Sequence, residues 1–322
     1  MKYTKVMMGT LFCIAFVLGS VSLAVGQNIL APPPINYEKI ALLKWYAANQ
    51  STTFKVGQLP FYVAFDGACI WVTNAFDNTV TKLRAADGAN LGSFSAGLYP
   101  YGVAFDGANI WVTDFLGNTV TKLRASDGAT LGTFNVGSYP AGVAFDGANI
   151  WVANYGGNTV TKLRASDGAT LGEFNVGSSP YALAFDGANI WVTFGGGDTV
   201  TKLRASDGAI LGTFNVGIYP VGLAFDGTNI WVTVSNVGVT KLRASDGAKL
   251  GTFQVGPGPA GLAFDGANIW VASYNSNTVT KLRSSDGAKL GTFQVGSGPS
   301  GVAFDGANIW VANDGDGTVS KL

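Results

Sequence analysis

Trp71, Trp111, Trp151, Trp191 and Trp231 stand 40 residues apart, Trp270 follows after 39, and Trp310 after another 40. Each falls in one phrase, Pro-x-x-(Val/Leu)-Ala-Phe-Asp-Gly-x-x-Ile-Trp-Val. A second phrase, Thr-Val-Thr-Lys-Leu-Arg-x-x-Asp-Gly-Ala, follows in all but the least regular copies. A unit near 40 residues with four short runs rich in β-branched and aromatic residues is the pattern of a propeller blade. In the second copy the strands are predicted at Tyr101–Phe105, Asn109–Thr113, Thr119–Arg124 and Leu131–Val136, punctuated by Asp-Gly turns. Seven copies predict an all-β, seven-bladed β-propeller of four-stranded blades over residues 51–322.

The two ends of the repeat region complement one another. The last copy stops at Val319-Ser320-Lys321-Leu322, its third strand, while Thr52-Thr53-Phe54-Lys55-Val56-Gly57 matches Gly132-Thr133-Phe134-Asn135-Val136-Gly137 in kind and spacing. The N-terminal segment is therefore predicted to supply the last blade's missing strand, since an open ring would leave an unpaired strand edge.

Ahead of the repeats, Lys2 and Lys5 precede an apolar run from Val6 to about Val25, and small residues surround Ala24–Gly26. Residues 1–26 read as an export signal, with an uncleaved membrane anchor as the alternative. Export places the protein outside the cell, at the cell surface or in a periplasm, and no membrane insertion is expected once the signal is cleaved. Residues 27–50, with Ala31-Pro32-Pro33-Pro34, Leu42 and Trp45, read as a leader or strap. Past the signal only Cys69 remains, where six other copies carry Asn, so closure and packing have to hold the fold without disulfides. Lys+Arg and Asp+Glu number 20 each. That balance lacks the basic surplus of a nucleic-acid binder.

Ile70-Trp71-Val72-Thr73-Asn74, then Asn78-Thr79-Val80-Thr81, then segments of the Val136-Gly137-Ser138-Tyr139-Pro140 type resemble the YVTN-family β-propeller repeat, which belongs with the NHL and virginiamycin-B-lyase-like propellers. The likeness spans residues 51–322. It departs in the third strand, where Lys122 and Arg124 stand in place of the family's apolar residue and acid. The resemblance implies an exported or surface-layer propeller. It also implies, through the lyase branch, a catalytic His and Mg²⁺; this chain has no histidine, so that activity is not carried over and no cofactor is expected.

Several recurrent residues have a packing reading beside a functional one. One Trp per second strand suits the wedge between blades better than an aromatic binding ring. The Asp-Gly pairs, such as Asp106-Gly107 and Asp127-Gly128, suit turns better than calcium loops, because further acids are missing. Lys82/Arg84 through Lys281/Arg283 alternate along their strands and read as a girdle whose heads pair with blade aspartates.

Comparison among the copies locates a candidate site. The first-to-second and third-to-fourth turns barely vary, while the second-to-third loops and the crossovers between blades differ in every copy. In a blade these two variable segments share one face of the disc. They carry Phe61, Tyr62, Phe76, Tyr99, Tyr139, Tyr219 and Tyr274 and no Lys or Arg. The ligand-binding candidates among them are Tyr101, Phe115, Tyr155, Tyr181, Phe194, Asp114 and Asp198. Asp314 and Asp316 are weak candidates for a divalent ion. Aromatics beside Asp and Asn suit a sugar chain, a peptide or a cationic group. The expectation is a non-catalytic scaffold for a protein, peptide or glycan of the cell envelope. A structural surface-layer component and a lyase- or lactonase-type enzyme are the alternatives.

Overall fold

The computed structural model of the chain describes residues 51–322; the expected signal (1–26) and strap (27–50) lie outside the described residues. Seven four-stranded antiparallel sheets follow one another in sequence order. Blade two consists of Pro100–Phe105, Asn109–Asp114, Thr119–Arg124 and Thr130–Asn135, within one residue of the sequence expectation at each end. Blade seven takes Pro299–Phe304, Ile309–Asn313 and Thr318–Lys321, and its outer strand is Thr52–Lys55, in register Thr52↔Lys321 through Lys55↔Thr318. The predicted seal of the ring is thus present. No helix among the described residues is long and apolar enough to cross a membrane.

Each of the seven tryptophans of the repeats sits between two blades. Trp71 and Val80 of blade one pack with Val103, Ile110, Val112 and Leu123 of blade two, and Trp71 is fully buried. Burial of a side chain that large removes on the order of 200 Å² from water, so the wedge is the main apolar contact of every interface. Its indole N–H does not go unpaired. Trp111 Nε1 donates to Asp106 Oδ2 at 2.7 Å, and the other oxygen of Asp106 accepts the backbone N–H groups of Ala108 and Asn109. The Asp-Gly turn is therefore also the anchor of the wedge.

The lysines correct one expectation. The arginine heads do pair with aspartates across half-exposed contacts such as Arg124–Asp127 at 2.9 Å, which contribute little in water. Six of the seven third-strand lysine heads instead cross to the next blade, as where Lys122 Nζ donates to the carbonyls of Ala165 and Ser166 at 2.7 and 3.2 Å. The third strand's alternation predicted a shared face, but the turn of the neighbouring blade lies nearer to the lysine than any carboxylate.

The first strands surround the central channel. There the copies carry Gly102, Gly142, Ala182, Gly222, Gly261 and Gly301, and blade one alone carries a large residue, Tyr62. A Cβ at Gly102 would run into the carbonyl of Ala141 in the next blade, so the close approach at that point demands glycine.

Candidate ligand-binding site

The variable segments do share a face. Each crossover is clasped between the second-to-third loops of the two blades that it joins. Tyr99 N donates to Asn78 Oδ1 at 2.8 Å, and Phe115 N donates to the Tyr99 carbonyl at 3.1 Å. The same clasp recurs where Tyr139 N meets Asn118 Oδ1 and Tyr155 N meets the Tyr139 carbonyl.

A bulge then turns the first strand's aromatics toward the mouth of the channel. In blade two the pairing runs Pro100↔Asp114 and next Val103↔Val112, leaving Tyr101 and Gly102 opposite the single residue Thr113. The Thr113 hydroxyl accepts from Gly102 N and donates to the Ala141 carbonyl, 2.7 Å each. A bulge of this kind re-aims side chains without opening the sheet. The same register break follows Pro180 and places Tyr181 alike.

Tyr101, Phe115, Tyr155 and Tyr181, contributed by three blades, come together as the wall of one basin of about 380 Å³, completed by Tyr99, Tyr219, Pro220, Val221 and Gly195. Their ring centroids stand 5.7 Å (Tyr101–Phe115), 5.9 Å (Tyr101–Tyr181) and 6.3 Å (Tyr155–Tyr181) apart, the latter two edge to face. These are favourable aromatic spacings. The Tyr101 and Tyr181 hydroxyls bond one another. Burial, and then the neighbouring Tyr181 phenol, holds Tyr62 and Tyr101 well above the usual phenol range. Both are therefore neutral over the physiological range.

Three rim tyrosines carry backbone strain. Tyr99, Tyr139 and Tyr219 adopt left-handed φ values of 56, 52 and 56°, where the corresponding residues of blades six and seven are Gly258 and Gly298. That conformation costs a side-chain-bearing residue about 1 kcal/mol. Tyr139 and Tyr219 are nevertheless about half exposed.

Asp114 and Phe194 do not join the basin, which corrects their assignment to it. The second strand runs one residue further than the sequence reading placed it, so the residue taken for a loop tip points between blades. Asp114 is fully buried and Phe194 is 4% exposed within the core between blades three and four. Asp114 Oδ2 accepts from Thr119 and Thr121 at 2.7 and 2.8 Å. Burial pushes its carboxyl up to about 7, against those two hydroxyls. Asp198 is exposed and accepts from Asn215 at 3.3 Å, away from the basin wall. Asp316 spends its two oxygens on Thr318 and on Ser297 N. Among the described residues no three of His, Cys, Asp and Glu gather in a metal-holding group.

A second cavity of about 160 Å³ adjoins the basin at the channel mouth, sharing Tyr101, Tyr181 and Val221 and adding Phe61, Tyr62, Tyr274 and Asp314. Sequence reading named Tyr62 among the loop aromatics without giving it this place. The usable signal was its position, where every other copy has Gly or Ala.

No family model matches the chain, and no curated protein does. Among solved structures it is similar to hydrazine synthase of Kuenenia stuttgartiensis, at 18% identity and TM-score 0.75, over 85% of this chain and 98% of that one. It is also similar to a streptogramin B lyase, at 18% identity and TM-score 0.70, over 84% of this chain and 96% of that one. At such identities the likeness speaks for the shared propeller architecture, and the resemblance to virginiamycin-B-lyase-like propellers holds at that level.

Proposed function

We propose that the protein is an exported, non-catalytic β-propeller that holds an envelope peptide, protein or glycan in the aromatic basin of its variable face. The observation that carries this reading is the convergence of Tyr101, Phe115, Tyr155 and Tyr181 from three blades on one concave wall. Loops held on a rigid scaffold are where binding resides in many folds. The half-exposed rings of Tyr139 and Tyr219 at the rim support it too, since Leu59, Ser179, Gly258 and Gly298 show that the crossover needs no aromatic at this position. Export is supported by Lys2, Lys5 and the apolar run that follows them.

Streptogramin lysis belongs to the similar protein. This chain has no histidine for the role that the family resemblance would assign, and Asp316 already spends its two oxygens on Thr318 and on Ser297 N. The test is retention of envelope extract and of glycan and peptide panels by the protein and by a Tyr101→Ala/Tyr155→Ala/Tyr181→Ala variant. Loss of retention with a preserved unfolding transition supports the reading; unchanged retention overturns it.

A further inference from the structure

The residues at the inner end of the second-to-third loops form a ring around the mouth: Phe115, Tyr155 and Tyr274 are aromatic, and blade seven places Asp314 in the same rank. Asp314 is 8% exposed, and its Oδ1 has no hydrogen-bond partner among the described residues. Oδ1 itself is turned onto Gly298 of its own blade, and the Tyr274 hydroxyl stands beside the carboxyl. Asp114 Oδ1 is unpaired in the same way within the core, so it is the place of Asp314 on a cavity wall that points to a ligand. Asp314 lines the cavity of about 160 Å³, the volume of about five waters, that opens into the basin. Neither cavity is lined by a lysine or arginine. All six ion pairs of the described residues join an arginine to an Asp-Gly turn, on the opposite face of the disc.

We infer that the group seated at the channel mouth is an alkylated ammonium, its charge countered by Asp314 and its methyl groups held against the tyrosine and phenylalanine rings. The inference rests on the basin being a binding site, and it names the chemistry of what binds. Three features favour this class over a neutral sugar. The rings of Tyr101, Tyr155 and Tyr181 meet at 69 and 74°, so they form the sides of a cup and not the flat platform on which a pyranose stacks. The Tyr101 and Tyr181 hydroxyls are spent on each other, leaving few groups to replace a sugar's hydrogen bonds. An alkylated ammonium has little need of acceptors, and ring faces attract it by their quadrupole, more strongly once water is excluded. Charge complementarity selects the sign. Burial raises the Asp314 carboxyl, with the Tyr274 hydroxyl opposing and the Asp316 charge adding, and a bound cation would favour its ionised form.

The experiment titrates the protein with choline and with 3,3-dimethyl-1-butanol, the neutral carbon isostere, by calorimetry at neutral pH. It repeats both titrations on Asp314→Asn and on the Tyr101/Tyr155/Tyr181→Ala variant. Choline is expected to bind about tenfold more tightly than the isostere, and Asp314→Asn to remove that advantage while leaving isostere binding unchanged. Equal affinity for the two probes, or an Asp314→Asn protein that keeps the preference, overturns the ammonium assignment. If the tyrosine variant still abolishes isostere binding in that case, the basin stands as a binding site for neutral ligands. Absence of saturable choline binding also overturns the assignment, and the retention assay on envelope extract then decides the basin separately.

Discussion

Lys122 Nζ stands 4.9 Å above the ring of Trp111. From there it donates to the Ala165 carbonyl of the next blade at 2.7 Å. The indole also lies against Phe134, 5.4 Å between centroids. Cation, wedge and ring form a stack that recurs from blade to blade, and the lysine is its grip on the following turn. Replacement of Lys122 by Met is expected to destabilise by about 2 kcal/mol, through two lost charge-assisted hydrogen bonds and the carbonyls left unpaired. Lys281 provides the internal control: it lies 4.6 Å over Trp270 but has no hydrogen-bond partner among the described residues. Lys281→Met should cost about half as much in urea unfolding. Equal losses would show that the carbonyl grip is energetically idle.

Closure of the ring depends on Phe54, whose ring stacks on Trp310 at 5.5 Å much as Phe134 does on Trp111. It also packs beneath Gly88 of blade one, where a Cβ would strike it. Phe54→Ala is expected to cost about 3 kcal/mol, the same as Phe134→Ala, from lost burial and a residual cavity. A much smaller loss at Phe54, measured by denaturant unfolding, would mean that the seal adds no stability.

Asp114 predicts a pH dependence with a definite sign. Its carboxyl rises to about 7 in the fold and titrates near 3.9 in an unfolded chain. Between those values the folded state holds the extra proton, so this residue favours folding most below about pH 4 and loses that advantage as pH rises to about 7. The change amounts to at most about 4 kcal/mol. Asn74, Asn154 and Asn313 occupy the same place in other blades, so Asp114→Asn should fold normally. It should gain on the wild-type protein progressively between pH 4 and pH 7 and keep a constant lead above. Parallel stability curves for the two proteins would refute the burial of a protonated acid.

Tyr219 tests whether the strained rim serves binding. It lines the basin and is 53% exposed, and its left-handed φ of 56° is one that glycine adopts freely. Tyr219→Gly is expected to leave the melting temperature unchanged or slightly higher, by up to about 1 kcal/mol of relieved strain, while ligand retention falls several-fold. A drop in stability larger than that would mark Tyr219 as a packing residue.

Legibility differed between scaffold and site. The blade count, the strand order, the outer strand from Thr52–Lys55 and the shared face of the crossovers all follow from local repetition, which the sequence displays. Tyr101, Phe115, Tyr155 and Tyr181, which the structure gathers on one cavity wall, stood out in the sequence because they break the repeat. Asp114 and Phe194 were misplaced because a second strand longer by one residue reverses the direction of its last side chain. No periodicity marks where a strand stops.

By itself the sequence determined that a unit near 40 residues, unable to bury its own apolar face, would stack seven times, with Trp and Phe as wedges. It also determined which side of the disc was free to vary. Only the tertiary structure decided that the lysines hold carbonyls instead of carboxylates, that a bulge turns Tyr101 and Tyr181 into the mouth, and that Asp314 lies buried with an unpaired oxygen. Those outcomes depend on distances between residues about 40 to 240 positions apart, set when the ring closes, and no local pattern encodes them.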